Sequence, residues 1–113
     1  MLTISGNSRI FLFRGKTDMR KSFTGLCALI YQHRQRPNDG SYYVFVNRLK
    51  THIKILYWDG DGLALWYKRL EKGTFIIPDG SAENVVLSRR QLSMLMEGIV
   101  PQKTKVRFGE EQA

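Results

Sequence analysis

The chain has 113 residues, 42% apolar and 12% aromatic, and its 18 Lys and Arg exceed its 10 Asp and Glu to leave a formal net charge of +8. That length fits one domain, commonly roughly 100–150 residues, and the apolar fraction is enough for a core. A disordered basic tail and a multidomain enzyme are both excluded.

In chain order, Arg9 to Phe13 is β-branched or aromatic enough for a buried strand, which Arg14 and Gly15 break. Thr17 or Asp18 is placed to cap a helix. Its apolar stripe is Met19, Phe23, Leu26, Cys27, Ile30 and Tyr31, and it ends near His33, before a loop marked by Pro37 and Gly40. Tyr42 to Val46 and His52 to Trp58 read as strands, joined by the basic loop Asn47-Arg48-Leu49-Lys50-Thr51. In the second strand Ile53, Ile55 and Tyr57 face one way, and Lys54, Leu56 and Trp58 the other.

Asp59-Gly60-Asp61-Gly62 predicts a hairpin turn with Leu63 to Leu70 as the returning strand, and several registers fit it. After a turn at Lys72-Gly73, Thr74 to Ile77 reads as a further strand and Pro78 to Asn84 as a loop. Ser88 and Gln91 match a capping box opening a short helix through Leu92, Leu95 and Met96 to about Glu97, stopped by Gly98 and Pro101. The expected fold class is therefore α+β: an antiparallel β-meander of about five strands, with one helix after the first strand and a short C-terminal helix. Residues 1–101 are expected to form the single domain and 102–113 a mobile C-terminal tail.

Apolar runs such as Tyr42 to Val46 fall far short of the roughly 20 residues that cross a bilayer. No signal-peptide pattern precedes Arg9, and the lone Cys27 allows no internal disulfide and no cysteine-based zinc site. A cytoplasmic protein with no membrane partner is the expectation.

The positive surplus points to a polyanion, since uncompensated charge sets the field a partner meets. Residues 1–36 carry Arg9, Arg14, Lys16, Arg20, Lys21, Arg34 and Arg36 against the single acid Asp18. Gly15-Lys16-Thr17 stands between a strand and a helix, where a phosphate loop would lie, but the position five residues earlier is Ile10 rather than glycine. Nucleotide hydrolysis is thus disfavoured, while Arg14, Lys16, Arg20 and Lys21 around a helix N-terminus remain suited to a nucleic-acid phosphate. The bland alternative is a solvated basic turn capped by Asp18.

Asp59 and Asp61 lack the third ligand and the glycine of a calcium loop, these positions being Leu63 and Ala64, so turn formation accounts for them. A metal nuclease built on the pair is the least favoured reading. His33 and His52 show no metal-ligand spacing, no serine lies in a nucleophile elbow, and Cys27 falls on an apolar helix face. No catalytic residue, metal or cofactor is expected. Lys54, Tyr57, Trp58, Trp66, Tyr67, Lys68 and Arg69 interleave cations with aromatics on paired strands, which suits base stacking, a core, or protein docking.

Two stretches carry a family resemblance. Thr17-Asp18-Met19-Arg20-Lys21-Ser22-Phe23-Thr24-Gly25-Leu26 resembles the early signature of the TnpB accessory proteins of insertion-sequence-66 type transposable elements. The block from Lys54 to Gly73, with Tyr57-Trp58-Asp59-Gly60-Asp61-Gly62 at its heart, is similar to that family's most distinctive segment. Val44 to Arg48, Gln91-Leu92, Leu95 and Glu97-Gly98-Ile99 extend the likeness over roughly residues 9–99, with Ser22 standing where the family has glycine. These proteins are unrelated to the RNA-guided nucleases that share the name TnpB.

The resemblance implies a bacterial, non-catalytic accessory protein for DNA transposition, encoded beside a separate transposase that carries the catalytic acids. DNA at the element's ends and that transposase are then the expected partners. Arg14, Lys16, Arg20 and Lys21 are the expected phosphate contacts, with Arg48, Lys50, Lys68 and Arg69 extending the surface. The alternative is an adaptor that docks the transposase through Trp58, Trp66 and Tyr67 without touching DNA.

Overall fold

The computed structural model describes Leu2, Ile4, residues 6–78 and residues 84–97. Among these residues, seven elements follow one another: β1 (Ile10–Lys16), α1 (Phe23–Gln32), β2 (Tyr42–Val46), β3 (His52–Trp58), β4 (Leu63–Arg69), β5 (Asn84–Leu87) and α2 (Arg89–Glu97). The strands form one sheet in the order β4-β3-β2-β1-β5.

The fold is α+β, but the sheet is mixed rather than a simple antiparallel meander. β1 and β2 run parallel, with Ile10 beside Tyr42 and Phe13 beside Phe45, and the other three pairings are antiparallel. The chain between Lys16 and Tyr42, α1 included, is long enough for the crossover that a parallel pair requires.

Alternation along the strands builds a core on each face. Phe11, Phe13, Tyr43, Phe45 and Leu56 meet Leu26 and Ile30, one turn apart on α1. This side is aromatic, with the Phe13 and Phe45 rings stacked at 4.7 Å. Ile10, Leu12, Val44, Val46, Ile53, Ile55 and Leu87 pack under Leu92, Leu95 and Met96 of α2, and this side is largely aliphatic.

Several expectations are corrected. Thr17 and Asp18 do not cap α1: the helix begins at Phe23, after Ser22, whose side chain makes no capping bond. The Asp18 carboxylate instead accepts from the Arg20 N–H at 2.9 Å and from the Arg20 guanidinium, closing a turn before the helix starts. Met19 therefore lies outside α1, although it packs against the α1-side core. Arg14 and Gly15 do not end β1; they form an irregularity between Phe13 and Lys16, and the strand resumes.

Thr74 to Ile77 is not a strand. Phe75 is buried by packing across the aliphatic face, and its N–H donates to the Lys50 carbonyl at 2.7 Å. The fifth strand is β5, paired antiparallel with β1. The hairpin register is settled, from His52 opposite Arg69 to Trp58 opposite Leu63, with Asp59 donating to the Gly62 carbonyl across the turn.

The capping box at α2 forms as expected. Gln91 N–H donates to Ser88 Oγ at 3.0 Å, and Ser88 N–H donates to Gln91 Oε1 at 2.8 Å. Gly98, Pro101 and the tail over 102–113 lie outside the described residues. No helix among the described residues is long and apolar enough to cross a membrane.

Candidate nucleic-acid interface

β1 and β2 both end at the same end of the sheet, because they run parallel. Open α/β sheets place ligands outside the carboxyl ends of such strands. Here that end carries a cleft of about 190 Å³ lined by Phe13, Arg14, Lys16, Val46, Asn47, Arg48, Lys50 and Ile77. Four of these are cations, two from the end of β1 and two from the β2–β3 loop. Among the described residues of the lining, none is a carboxylate.

Local structure explains how each segment presents its charge. Irregular pairing at Arg14 and Gly15 re-aims side chains that regular alternation would have fixed. Thr17 then returns to the ladder, its N–H donating to the Val46 carbonyl at 3.1 Å, and is itself buried. Across the cleft, Asn47 organises the loop: its Oδ1 accepts from the Thr51 and His52 N–H groups, both at 2.9 Å. Lys50 takes a left-handed backbone (φ 61°), and its carbonyl receives the Phe75 N–H. Arg48 and Lys50 thus project from a braced loop, with their side chains in solvent.

The helix N-terminus envisaged from Gly15-Lys16-Thr17 is absent, since Phe23 starts α1 well beyond Thr17. Arg14 and Lys16 face the β2–β3 loop instead. Arg20 and Lys21 stand on the β1–α1 connection, outside the cleft lining. Arg20 is held by Asp18, with its Nη2 2.6 Å from Oδ2. The hydrogen bonds from the Arg20 side chain and N–H hold the Asp18 carboxyl down to about 2. The Lys21 stem lies against α1 where Gly25 leaves space; a Cβ there would come within 3.0 Å of Lys21 Cγ.

The remaining cations are elsewhere. Lys68 points to the α2 side, where Nζ donates to the Met96 carbonyl at 2.7 Å and satisfies the last turn of that helix. Arg69, on the opposite side of β4, pairs with Glu71 at 3.0 Å. The aromatic trio is divided likewise. Trp58 and Tyr67 are exposed on the α1 side (39% and 51%), whereas Trp66 is half-buried against the aliphatic core. Asp59 and Asp61 sit in the hairpin turn and do not line the cleft.

Two cations outside the expected set of phosphate contacts serve the fold. Lys54 is 5% exposed; its Nζ donates to the Met19 and Lys21 carbonyls at 2.8 and 2.6 Å and lies 4.7 Å from the Tyr67 ring centre. It pins the β1–α1 connection to β3. Arg9, at the other end of the parallel pair, bonds Gln35, Ser41, Asp39 and Tyr43. There burial raises the Asp39 carboxyl, but hydrogen bonds from Tyr43 and Ser41, with the Arg9 charge, outweigh it and hold it below its usual value. In the sequence Lys54 belongs to the cations interleaved with aromatics, and its place as the one charged residue between Ile53 and Leu56 is the signal of its inward role.

Comparison with known proteins gives concordant relatives. The chain is 35% identical over 100 residues to the uncharacterized protein y4hO of Sinorhizobium fredii, covering 88% of this chain and 87% of that one. It is 31% identical over 100 residues to y4jC of the same organism, covering 88% and 86%. No solved structure matches it. The family described as IS66 Orf2-like protein matches residues 8–106, which include every cation of the cleft, and the chain belongs to that family.

Proposed function

We propose that the protein is a non-catalytic accessory factor of insertion-sequence transposition that holds DNA by its phosphates in the cleft of Arg14, Lys16, Arg48 and Lys50. Membership of the IS66 Orf2-like family supports the transposition-associated role. The observation that carries DNA contact is the convergence of four cations from two separate segments on one cleft, with no acid among the described residues of its lining. Such contacts neutralise phosphates and fix the protein's position on a duplex, while carrying no sequence information themselves. Lys21, and Arg20 once drawn from Asp18, extend the track along the β1–α1 connection. DNA held in this way is presented to the separately encoded transposase, which does the bond chemistry.

Fluorescence anisotropy with short duplexes at several salt concentrations tests the reading. Four phosphate contacts predict a slope of log affinity against log salt near about −4. The double variant Lys16→Glu, Lys50→Glu is expected to flatten that slope by about 2, equally for element-end and random duplexes. A wild-type slope indistinguishable from zero overturns the proposal.

A further inference from the structure

β4 is one edge of the sheet, and among the described residues no strand covers it. Its seven residues pair with β3 in unbroken register, and it contains neither a proline nor a bulge. An edge of that kind offers a row of main-chain donors and acceptors to another strand. Lysines commonly guard such edges, but Lys68 is turned inward to the Met96 carbonyl.

The ladder fixes which groups are on offer. The Leu70 N–H donates to Thr51 at one end and the Asp59 N–H to Gly62 at the other, so even-numbered residues of β4 address β3. Leu63, Leu65, Tyr67 and Arg69 therefore direct their N–H and C=O groups outward. Their side chains share the α1 side of the sheet, where Leu63 and Leu65 pack on the aromatic core.

We propose that the protein forms a two-fold dimer in which β4 pairs antiparallel with β4 of a second copy, centred on Leu65. Centred there, Leu65 meets Leu65, Leu63 meets Tyr67 of the second copy, and Asp61 meets its Arg69. Both ends of the seam thus close with opposite charges, and its middle is apolar. Neighbouring registers of the same hydrogen-bond parity are worse. Centring on Trp66 sets Asp61 against Glu71 and Leu63 against Arg69; centring on Ala64 sets Asp61 against Tyr67. Arg69 now holds Glu71 at the surface, a pairing of little value and readily exchanged.

The α1 side supplies a second fit. Phe23, Cys27 and Tyr31 of α1 line a shallow apolar groove together with Leu63. Phe23 is 42% and Tyr31 61% exposed. The pairing of Leu63 with Tyr67 brings the second copy's ring, half-exposed in a single chain, beside that groove.

Sedimentation equilibrium on the full chain, from micromolar to sub-millimolar concentration, is expected to give twice the monomer mass at the upper end. Asp61→Arg and Arg69→Asp should each weaken association by about tenfold, and combining them should restore it. In a Cys27→Ser background, Leu65→Cys should cross-link across the axis, because paired Cα atoms there fall within disulfide reach, while Ala64→Cys should not. Circular dichroism verifies that each variant folds. A monomer at every concentration overturns the proposal, as does a dimer that ignores the charge exchange or that Leu65→Cys fails to trap. None of these readouts involves DNA, so the result stands or falls apart from the cleft.

Discussion

The cleft and the β3–β4 hairpin carry the same residue types and use them in opposite ways. In the cleft, Arg14, Lys16, Arg48 and Lys50 gather around open space with no acid among the described lining residues. On the hairpin, Lys54 is spent on two carbonyls of the β1–α1 connection, Lys68 on the end of α2, and Arg69 on Glu71. Net charge counts both groups equally. What separates them is where the charge ends up: a cation engaged by main-chain carbonyls inside the fold has little left to offer a phosphate, whereas Lys16, Arg48 and Lys50 stand exposed at the cleft. A basic surface is therefore located by where exposed cations converge, not by where lysines and arginines are dense.

The contrast can be broken at its strongest point by Lys54→Met. Removing the ammonium leaves the Met19 and Lys21 carbonyls without their donor and the Tyr67 ring without its cation, a loss of about 2–3 kcal/mol by urea denaturation. DNA affinity of the folded protein, with its salt slope, should stay unchanged. If affinity falls with stability intact, Lys54 belongs with the binding cations after all. Lys68→Ala is the milder version: loss of the bond to Met96 should cost about 1 kcal/mol and speed hydrogen exchange in the last turn of α2, again without touching the salt slope.

The smallest effect lies in the Asp18–Arg20 turn, between the two groups. The Asp18 carboxyl titrates at about 2, lowered from 3.8, because Arg20 bonds its charged form. A depressed folded-state value contributes stability that is present above the usual carboxylate range and lost as pH falls through about 2. Carboxyl carbon chemical shifts followed from pH 6 downward should show that low midpoint, and Arg20→Ala should return it toward 3.8. A midpoint unmoved by Arg20→Ala would free Arg20 to join the cleft cations as a phosphate contact.

Much of this was legible one element at a time. The alternation of Ile53, Ile55 and Tyr57 against Lys54, Leu56 and Trp58, the hairpin turn at Asp59 to Gly62 and the capping box at Ser88 and Gln91 are settled by neighbours a few residues apart. The start of α1 departs from expectation because Asp18 has two local choices, capping a helix or closing a turn with Arg20, and the turn wins. No local signal separates β5 from Thr74 to Ile77, because both segments are apolar and only the open edge beside β1 chooses between them. Of the candidate interface, the four cleft cations are among the eight expected contacts, but no local pattern says that the end of β1 and the β2–β3 loop set these four around one cleft.

Composition and periodicity by themselves determined the positive surplus, the identity of most elements, and which side chains point the same way within each strand, because these depend on backbone geometry and near neighbours. The parallel pairing of β1 with β2, the sorting of Trp58 from Trp66, and the division of lysines into buried braces and open contacts were decided only by the tertiary structure. They depend on which distant segments meet, and a crossover that makes two strands parallel moves whole sets of charges to one end of the sheet without altering any local pattern.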